Sequence, residues 1–239
     1  MPSISVVLPA YNEEESIPRT VANVVDALVG ITDDYEILVV DDGSRDRTAQ
    51  VTAALAERYP QVRLVQHEVN KGYGAALATG FGAARKELVF MTDGDAQFDV
   101  REIRKLLPLL ANADLAIGYR APRRDPFHRL VYAWGWNLLI NLLFGYTARD
   151  VDCAFKLFRR SILDDFVVES RGATFSAEFL VRARRSGHSV REVGVRHLPR
   201  LAGKPTGGRP DVVLRAFKEL VKFRWRLARE PRRAVRFQL

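Results

Sequence analysis

The sequence predicts an α/β fold in which a mostly parallel sheet is covered by helices on both faces. Two observations carry this prediction. Apolar, β-branched runs alternate with segments of helical spacing through about the first 95 residues, the strand, helix, strand rhythm of parallel sheets. The runs are also apolar at nearly every position, as burial on both faces requires.

The elements follow in order. "SISVVLPA", residues 3–10, is the first strand, and Ile17, Val21, Val24, Val25 and Leu28 set a helical stripe in the segment after it. "YEILVVDDGS" gives a second strand, residues 46–59 a helix, "VRLVQHE" a third strand and "GAALATGFGAARK" a further helix. "ELVFMTD" is the fourth strand, followed by one helix across "VREIRKLLPLLANA" and a short strand "LAIGYR". The second half is less regular. Its most apolar stretch, Leu130 to Ala148, carries Asn137, Asn141 and two glycines. It falls short of the ~20 apolar residues of a membrane span and reads as a buried or interfacial helix. The expected layout is one domain over residues 1–209, with a basic amphipathic helix and tail over 210–239.

Composition narrows the class. At 239 residues with 47% hydrophobic side chains, the chain can bury a full core. The single cysteine, Cys153, excludes an internal disulfide and multi-thiolate metal sites and fits a reducing compartment. The opening "MPSISVVLPAYNEEE" has no basic stretch ahead of its short apolar run and reads as a strand rather than a signal peptide. The expected location is therefore cytoplasmic.

Net charge is unevenly placed. From Arg200 onward there are twelve Lys or Arg against three Asp or Glu, so the total of +8 leaves −1 for residues 1–199. A nucleic-acid enzyme more often spreads its positive charge over a binding face. A basic tail on a neutral body points to an anionic surface instead.

In such sheets, ligands bind beyond the carboxyl ends of the strands. The three loops that matter are "PAYNEEE", "DDGSRD" and "TDGDAQ", and all are acidic. A bare phosphate would be repelled there, and no GxxxxGK[ST] motif is present, while "GYGAAL" places Leu77 where a dinucleotide fingerprint needs its third glycine. Carboxylates at Asp93 and Asp95 make sense around a divalent cation, Mg²⁺ or Mn²⁺, shared with an anionic ligand. Phe98 and Arg104 occupy the positions where an EF-hand needs Gly and Glu. Taken alone, the pair also reads as a solvated acidic turn.

The segments "VVLPAYNEEESI", "ILVVDDGSRDRT", "NKGYGAALATG" and "VFMTDGDAQ", in this order and spacing, resemble the inverting family 2 glycosyltransferases of GT-A fold. The nearest branch is that of the dolichyl- or polyprenyl-phosphate mannose and glucose synthases. The resemblance covers residues 4–120 strongly and continues more loosely through "DVDCAFKLFRRSIL" and "GHSVREVGVRHLPRLAGK". It implies a nucleoside-diphosphate sugar as donor, with Pro9, Ala10, Tyr11, Glu13 and Lys71 around it and Asp41 or Asp42 on the base or ribose. It further implies Asp93 and Gly94 beside the sugar and ribose, Asp95 on the metal, and Gln97 as a further ligand or a group bonded to one. The residues 41–46 also read as a turn with a helix cap at Ser44 or Asp46.

Inversion needs no protein nucleophile, and the absence of a GxSxG elbow agrees with direct displacement. A lipid-phosphate acceptor attacks unaided, whereas a sugar hydroxyl needs a base. Arg120 and Arg129 are candidates for an acceptor phosphate, Arg200 and Lys204 for the donor diphosphate, each with a surface-charge alternative. Glu178 is the candidate base, or equally the ion-pair partner of Arg182 one turn on. The four histidines share no ligand spacing and are expected to be structural or exposed. Departures from the family pattern ("APRRDPFH", Ala133, "DVDCAFK") all fall on the acceptor side.

On a helix from Asp211 to Arg229, Arg215, Lys218, Lys222, Arg226 and Arg229 share one face, opposite Val213, Phe217, Leu220, Val221, Trp225 and Leu227. That pattern suits an anionic membrane surface or a helix packed on the domain. A non-catalytic nucleotide-sugar or nucleic-acid binder is the remaining alternative. The basic face lacks the stacking aromatics of a single-strand binder, so no nucleic-acid partner is expected.

Overall fold

A computed structural model describes residues 1–122, 127–199 and 210–230, including all side chains there except those of 127–129 and 210–213. Seven strands form one sheet in the order β3-β2-β1-β4-β6-β5-β7. They are β1 (Ile4–Ala10), β2 (Tyr35–Asp41), β3 (Val62–Gln66), β4 (Leu88–Met91), β5 (Leu115–Arg120), β6 (Lys156–Arg159) and β7 (Val190–Val195). All pairings are parallel except those of β6, which runs against both β4 and β5. β1 is buried at every position, as a central strand under two helical layers must be.

The helices are α1 (Ile17–Leu28), α2 (Thr48–Arg58), α3 (Tyr73–Ala83), α4 (Ile103–Leu106), α5 (Phe127–Phe144), α6 (Phe175–Arg185) and α7 (Pro210–Arg229). On one face α3 and α6 interlock Phe81, Phe175 and Phe179 with Phe158 of β6. The approach of α3 to the sheet is set by Gly80, where a Cβ would lie 2.4 Å from Val7 Cγ1. The alternate β1 residues Val6 and Leu8 turn to the other face, on which α1, α2 and the turn before α4 neighbour one another. The expected α/β three-layer architecture is present.

Two expectations are corrected. The segment 100–113 is not one helix. It is a 3-10 turn, four residues of α4 and a second 3-10 stretch, Leu107–Ala111; α4 stops there because Pro108 lacks an N–H and its ring clashes with the carbonyl four residues earlier. The apolar face expected of the tail helix is also split. Leu220 and Leu227 are buried together with Ala216 and Phe223, while Phe217, Val221 and Trp225 are exposed together with Leu214. Val213 lies outside the described side chains. Arg226, expected on the basic face, turns inward to Glu169 and Glu178.

α7 rests on α6 and α5 through Val181 and Phe144, the latter stacked on Phe223 at 5.0 Å. No helix among the described residues is long and apolar enough to cross a membrane. In α5, Asn137 and Asn141 accept hydrogen bonds from the backbone N–H groups of Val151 and Thr147, which tie the helix to the loop preceding β6.

Candidate active site

The carboxyl ends of β1, β2, β4 and β5 share one edge of the sheet. The reversed β6 begins there, Lys156 lying opposite Met91 and Ile117. The loops after β1 and β2 are laced together. Asn12 N–H donates to Ser44 Oγ (2.9 Å), Asn12 Oδ1 accepts from Arg45 N–H (2.8 Å), and Glu13 N–H donates to Thr48 Oγ1 (2.9 Å). Asn12 takes a left-handed φ of 55°, a conformation asparagine tolerates well. Asp46 Oδ1 accepts from Thr48 N–H at 3.0 Å, but the N-cap position of α2 is Arg47 and has no side-chain cap, so neither Ser44 nor Asp46 is the helix cap expected. Pro9 and Ala10 end β1, and Tyr11 stands exposed beyond them.

Asp41 and Asp42 are buried. Asp41 accepts from Ser44 N–H (3.0 Å) and Gln66 Nε2 (3.2 Å). Asp42 accepts from the N–H groups of Lys71 (2.9 Å) and Gly72 (2.8 Å), with His67 Nδ1 at 2.7 Å. Any nucleoside contact at either carboxylate is made alongside these donors. His67 also meets Thr79 Oγ1 at 2.9 Å, which makes it a structural histidine.

After β4 the chain turns sharply at Gly94. A Cβ there would lie 3.0 Å from both Pro9 O and Ile17 Cδ1, and Thr20 Oγ1 donates to Gly94 O at 3.0 Å. The turn presents Asp93 and Asp95 together. Asp93 Oδ1 accepts from the Tyr73 hydroxyl at 2.9 Å, and Asp95 Oδ1 accepts from Gln97 N–H at 3.1 Å. Burial, and then the neighbouring Asp95 carboxylate, push Asp93 from 3.8 up to about 7. Two oxygen ligands that resist joint ionisation suit a hard divalent cation. Among the described residues no three His, Cys, Asp or Glu side chains gather around one point, so water or a bound diphosphate would complete such a shell. Gln97 lies near the pair, but its Nε2 donates to Leu198 O at 3.2 Å.

Beside this pair lies a second charged group. Asp150 receives the Arg120 fork, Nε at 2.6 Å and Nη2 at 2.7 Å. Burial alone would lower the pKa of Arg120, and the Asp150 hydrogen bonds reverse this and raise it. The fully buried Lys156 donates through Nζ to Val151 O at 3.2 Å and also to Cys153 O. Desolvation lowers its pKa, and Asp93, Asp150 and Asp152 are among the charges that oppose that shift. Burial pushes the Cys153 thiol up to about 12, which leaves it inert.

Of the other expected residues, Lys71 is exposed in the loop before α3. Arg129 lies on α5 with its side chain outside the described ones, and Arg200 and Lys204 lie outside the described residues. Glu178 is fully buried and takes the ion-pair alternative. It meets Arg182 Nε at 2.8 Å, the N–H groups of Glu169 and Ser170 at 3.2 and 3.0 Å, and Arg226 Nη2 at 3.3 Å. The Glu178 carboxylate is thus occupied by donors within the protein. Sequence reasoning passed over Tyr73, Asp150 and Lys156. The signal for Lys156 was a lysine inside the otherwise apolar "CAFKLF".

Comparison with known proteins bears on this geometry. Residues 5–167 match the sequence family described as Glycosyl transferase family 2. A dolichyl-phosphate beta-glucosyltransferase of Trichomonas vaginalis is 33% identical over 210 residues, covering 80% of this chain and 64% of that protein. An undecaprenyl-phosphate 4-deoxy-4-formamido-L-arabinose transferase of Pseudomonas aeruginosa is 33% identical over 204 residues, covering 84% and 59%. The chain thus spans less than two thirds of these curated relatives. The fold matches that of glucosyl-3-phosphoglycerate synthase from Mycobacterium tuberculosis, solved with Mn²⁺, uridine-diphosphate and phosphoglyceric acid. The TM-score is 0.72 at 20% identity, over 93% of this chain and 78% of that one.

Proposed function

The chain belongs to glycosyl transferase family 2, and from that premise we propose that it transfers a hexose from a nucleoside-diphosphate sugar to a polyprenyl phosphate at a membrane surface. The observation that carries the donor half is the Asp93 and Asp95 pair. Burial, and then the neighbouring Asp95 carboxylate, push Asp93 up to about 7, at the strand edge where ligands of such sheets bind. Asp93 and Asp95 would hold Mg²⁺ or Mn²⁺, which when bound neutralises the departing diphosphate. In this reading Tyr11 and Glu13, on the loop laced to that of β2, take the nucleoside, and Asp93 and Asp95, on either side of Gly94, take the diphosphate and its metal. The donor's base and sugar stay open between the guanosine-mannose and uridine-glucose types.

Support for a lipid phosphate comes from two sides. The relatives act, by name, on dolichyl and undecaprenyl phosphates. A phosphate is already anionic and needs no base, and Glu178, the base that a hydroxyl acceptor would call for, is locked in an ion-pair network. Arg120, oriented by Asp150, supplies positive charge beside the donor carboxylates.

The membrane half rests on α5 and α7. Trp136 of α5 meets Phe217 of α7 at 5.8 Å, and both helices carry exposed apolar side chains. Tyr132, Trp134 and Leu142 of α5 are 72, 68 and 75% exposed, and Val221 and Trp225 of α7 are 54 and 64% exposed. Arg215, Lys218, Lys222 and Arg229 are exposed along α7 beside them. Apolar and aromatic side chains next to a basic stripe suit an anionic leaflet, and the reading places the protein peripherally on the cytoplasmic face.

The test is a panel of nucleoside-diphosphate sugars with Mn²⁺ and a short polyprenyl phosphate, scored for a new glycolipid and for free nucleoside diphosphate. Glycolipid from one donor is expected, lost in Asp95→Asn. Full turnover by Asp95→Asn at saturating donor would remove the metal role, and transfer only to hydroxyl acceptors would remove the lipid one.

A further inference from the structure

The carboxylate of Asp93 is held from outside its own loop. Tyr73, 20 residues earlier, donates its hydroxyl to Asp93 Oδ1 at 2.9 Å. Its place is fixed with little slack. Tyr73 opens α3 between two glycines that press on another segment: a Cβ on Gly72 would lie 2.6 Å from Arg171 O, and one on Gly74 would lie 2.7 Å from Ser170 O. Ala75 N–H donates to Arg171 O at 3.2 Å, and Gly72 N–H is anchored on Asp42 at 2.8 Å. The backbone of residues 170 and 171 is therefore the seat on which Tyr73 stands.

That seat is clamped by the C-terminal helix. Ser170 is bound to Glu178 through both N–H and Oγ. Arg226 of α7 reaches Glu178 at 3.3 Å and Glu169 at 2.6 Å, and Arg182 grips Glu230 at the end of α7 through both terminal nitrogens at 2.9 Å. Glu219 of α7 accepts from Thr174 Oγ1 and lies 2.9 Å from where a Cβ on Gly172 would stand.

We propose that Tyr73 is a positioning residue for Asp93, and that α7 sets its position through residues 169–174. The C-terminal helix is thereby joined to the donor carboxylates by one continuous run of contacts. Hydrogen-bond partners of a metal-binding carboxylate fix its orientation, and their loss commonly weakens metal affinity about ten- to a hundredfold. The proposal rests on the donor-site reading above.

The test titrates Mn²⁺ into the full chain with UDP and, separately, with GDP, following free Mn²⁺ by electron paramagnetic resonance. The parent is expected to bind Mn²⁺ with one of the two nucleotides, and Tyr73→Phe to bind about tenfold more weakly at an unchanged melting temperature. Glu219→Ala, outside the donor site, is expected to weaken Mn²⁺ in the same direction. The double variant should fall short of the product of the two effects, because both act through one relay. Parent-like affinity in Tyr73→Phe would overturn the positioning role, and purely multiplicative effects would overturn the relay. A parent that binds Mn²⁺ with neither nucleotide would bring down the donor reading itself, an outcome distinct from both.

Discussion

At the scale of single residues, Asp93 is where folding and ligand chemistry oppose each other most plainly. Its pKa rises from 3.8 in an unfolded chain to about 7 in the fold. The metal-free protein therefore carries no charge penalty at this position below the lower value and acquires one as pH climbs to the upper. Asp93→Asn should then melt at a higher temperature than the parent in EDTA, with a gain that grows between those two values and is level above the upper. A gain equal at every pH would show that the effect is packing and not charge. Asp93 and Asp95 were legible in the sequence because they crowd one turn behind a buried strand. Their supporting residues were not. Tyr73 pairs with Asp93 across 20 positions and Asp150 pairs with Arg120 across 30, and partnerships at that range are decided by the fold and not by local spacing.

Elements were read best where one periodicity governed. β1 to β4 and the helices between them stand where apolar runs and stripes placed them. The 100–113 stretch kept its apolar spacing and lost its continuity to Pro108. β6 went unread because four residues beginning with a buried lysine look nothing like a strand. The helix α3 offers a contrast within three residues. At Gly80 a Cβ would lie 2.4 Å from Val7 Cγ1 and 3.1 Å from Val40 Cγ2, whereas at Gly82 nothing lies within 4 Å. Gly80→Ala should destabilise by about 2 kcal/mol, since the helix must lift off β1. Gly82→Ala should stabilise by about 0.5 kcal/mol or slightly more, by reducing the freedom of the unfolded chain. Denaturant midpoints of the two variants would check both signs, and equal shifts would mean that the α3 contact is softer than its distances indicate.

For the whole molecule, the decisive arrangement is the proposed donor site on the sheet's carboxyl edge together with the exposed aromatic and basic side chains of α5 and α7. The tail's charge was legible from composition alone. Its division into a buried and an exposed apolar face was not, since periodicity cannot say which of two stripes finds a partner. Vesicles with a large anionic lipid fraction should sediment the protein and shift its tryptophan emission to the blue, and neutral vesicles should not. Reversing Lys218 and Lys222 to Glu should lower the partition at least about tenfold, at roughly 1 kcal/mol per charge near the surface. Unchanged partition would assign the stripe to simple solvation. The reversed β6 carries a further consequence. The chain leaves the sheet at Arg120 and re-enters it at Lys156, which lies beside Ile117 three residues before that exit, so departure and return share one edge. Ile140, Val151 and Phe155 anchor the intervening segment in the core, so its length and chemistry can change only between those anchors, while the half before it is locked by crossovers that span the sheet. On the function proposed above, the acceptor side is thus open to change between its anchors, and the donor side is held by the sheet.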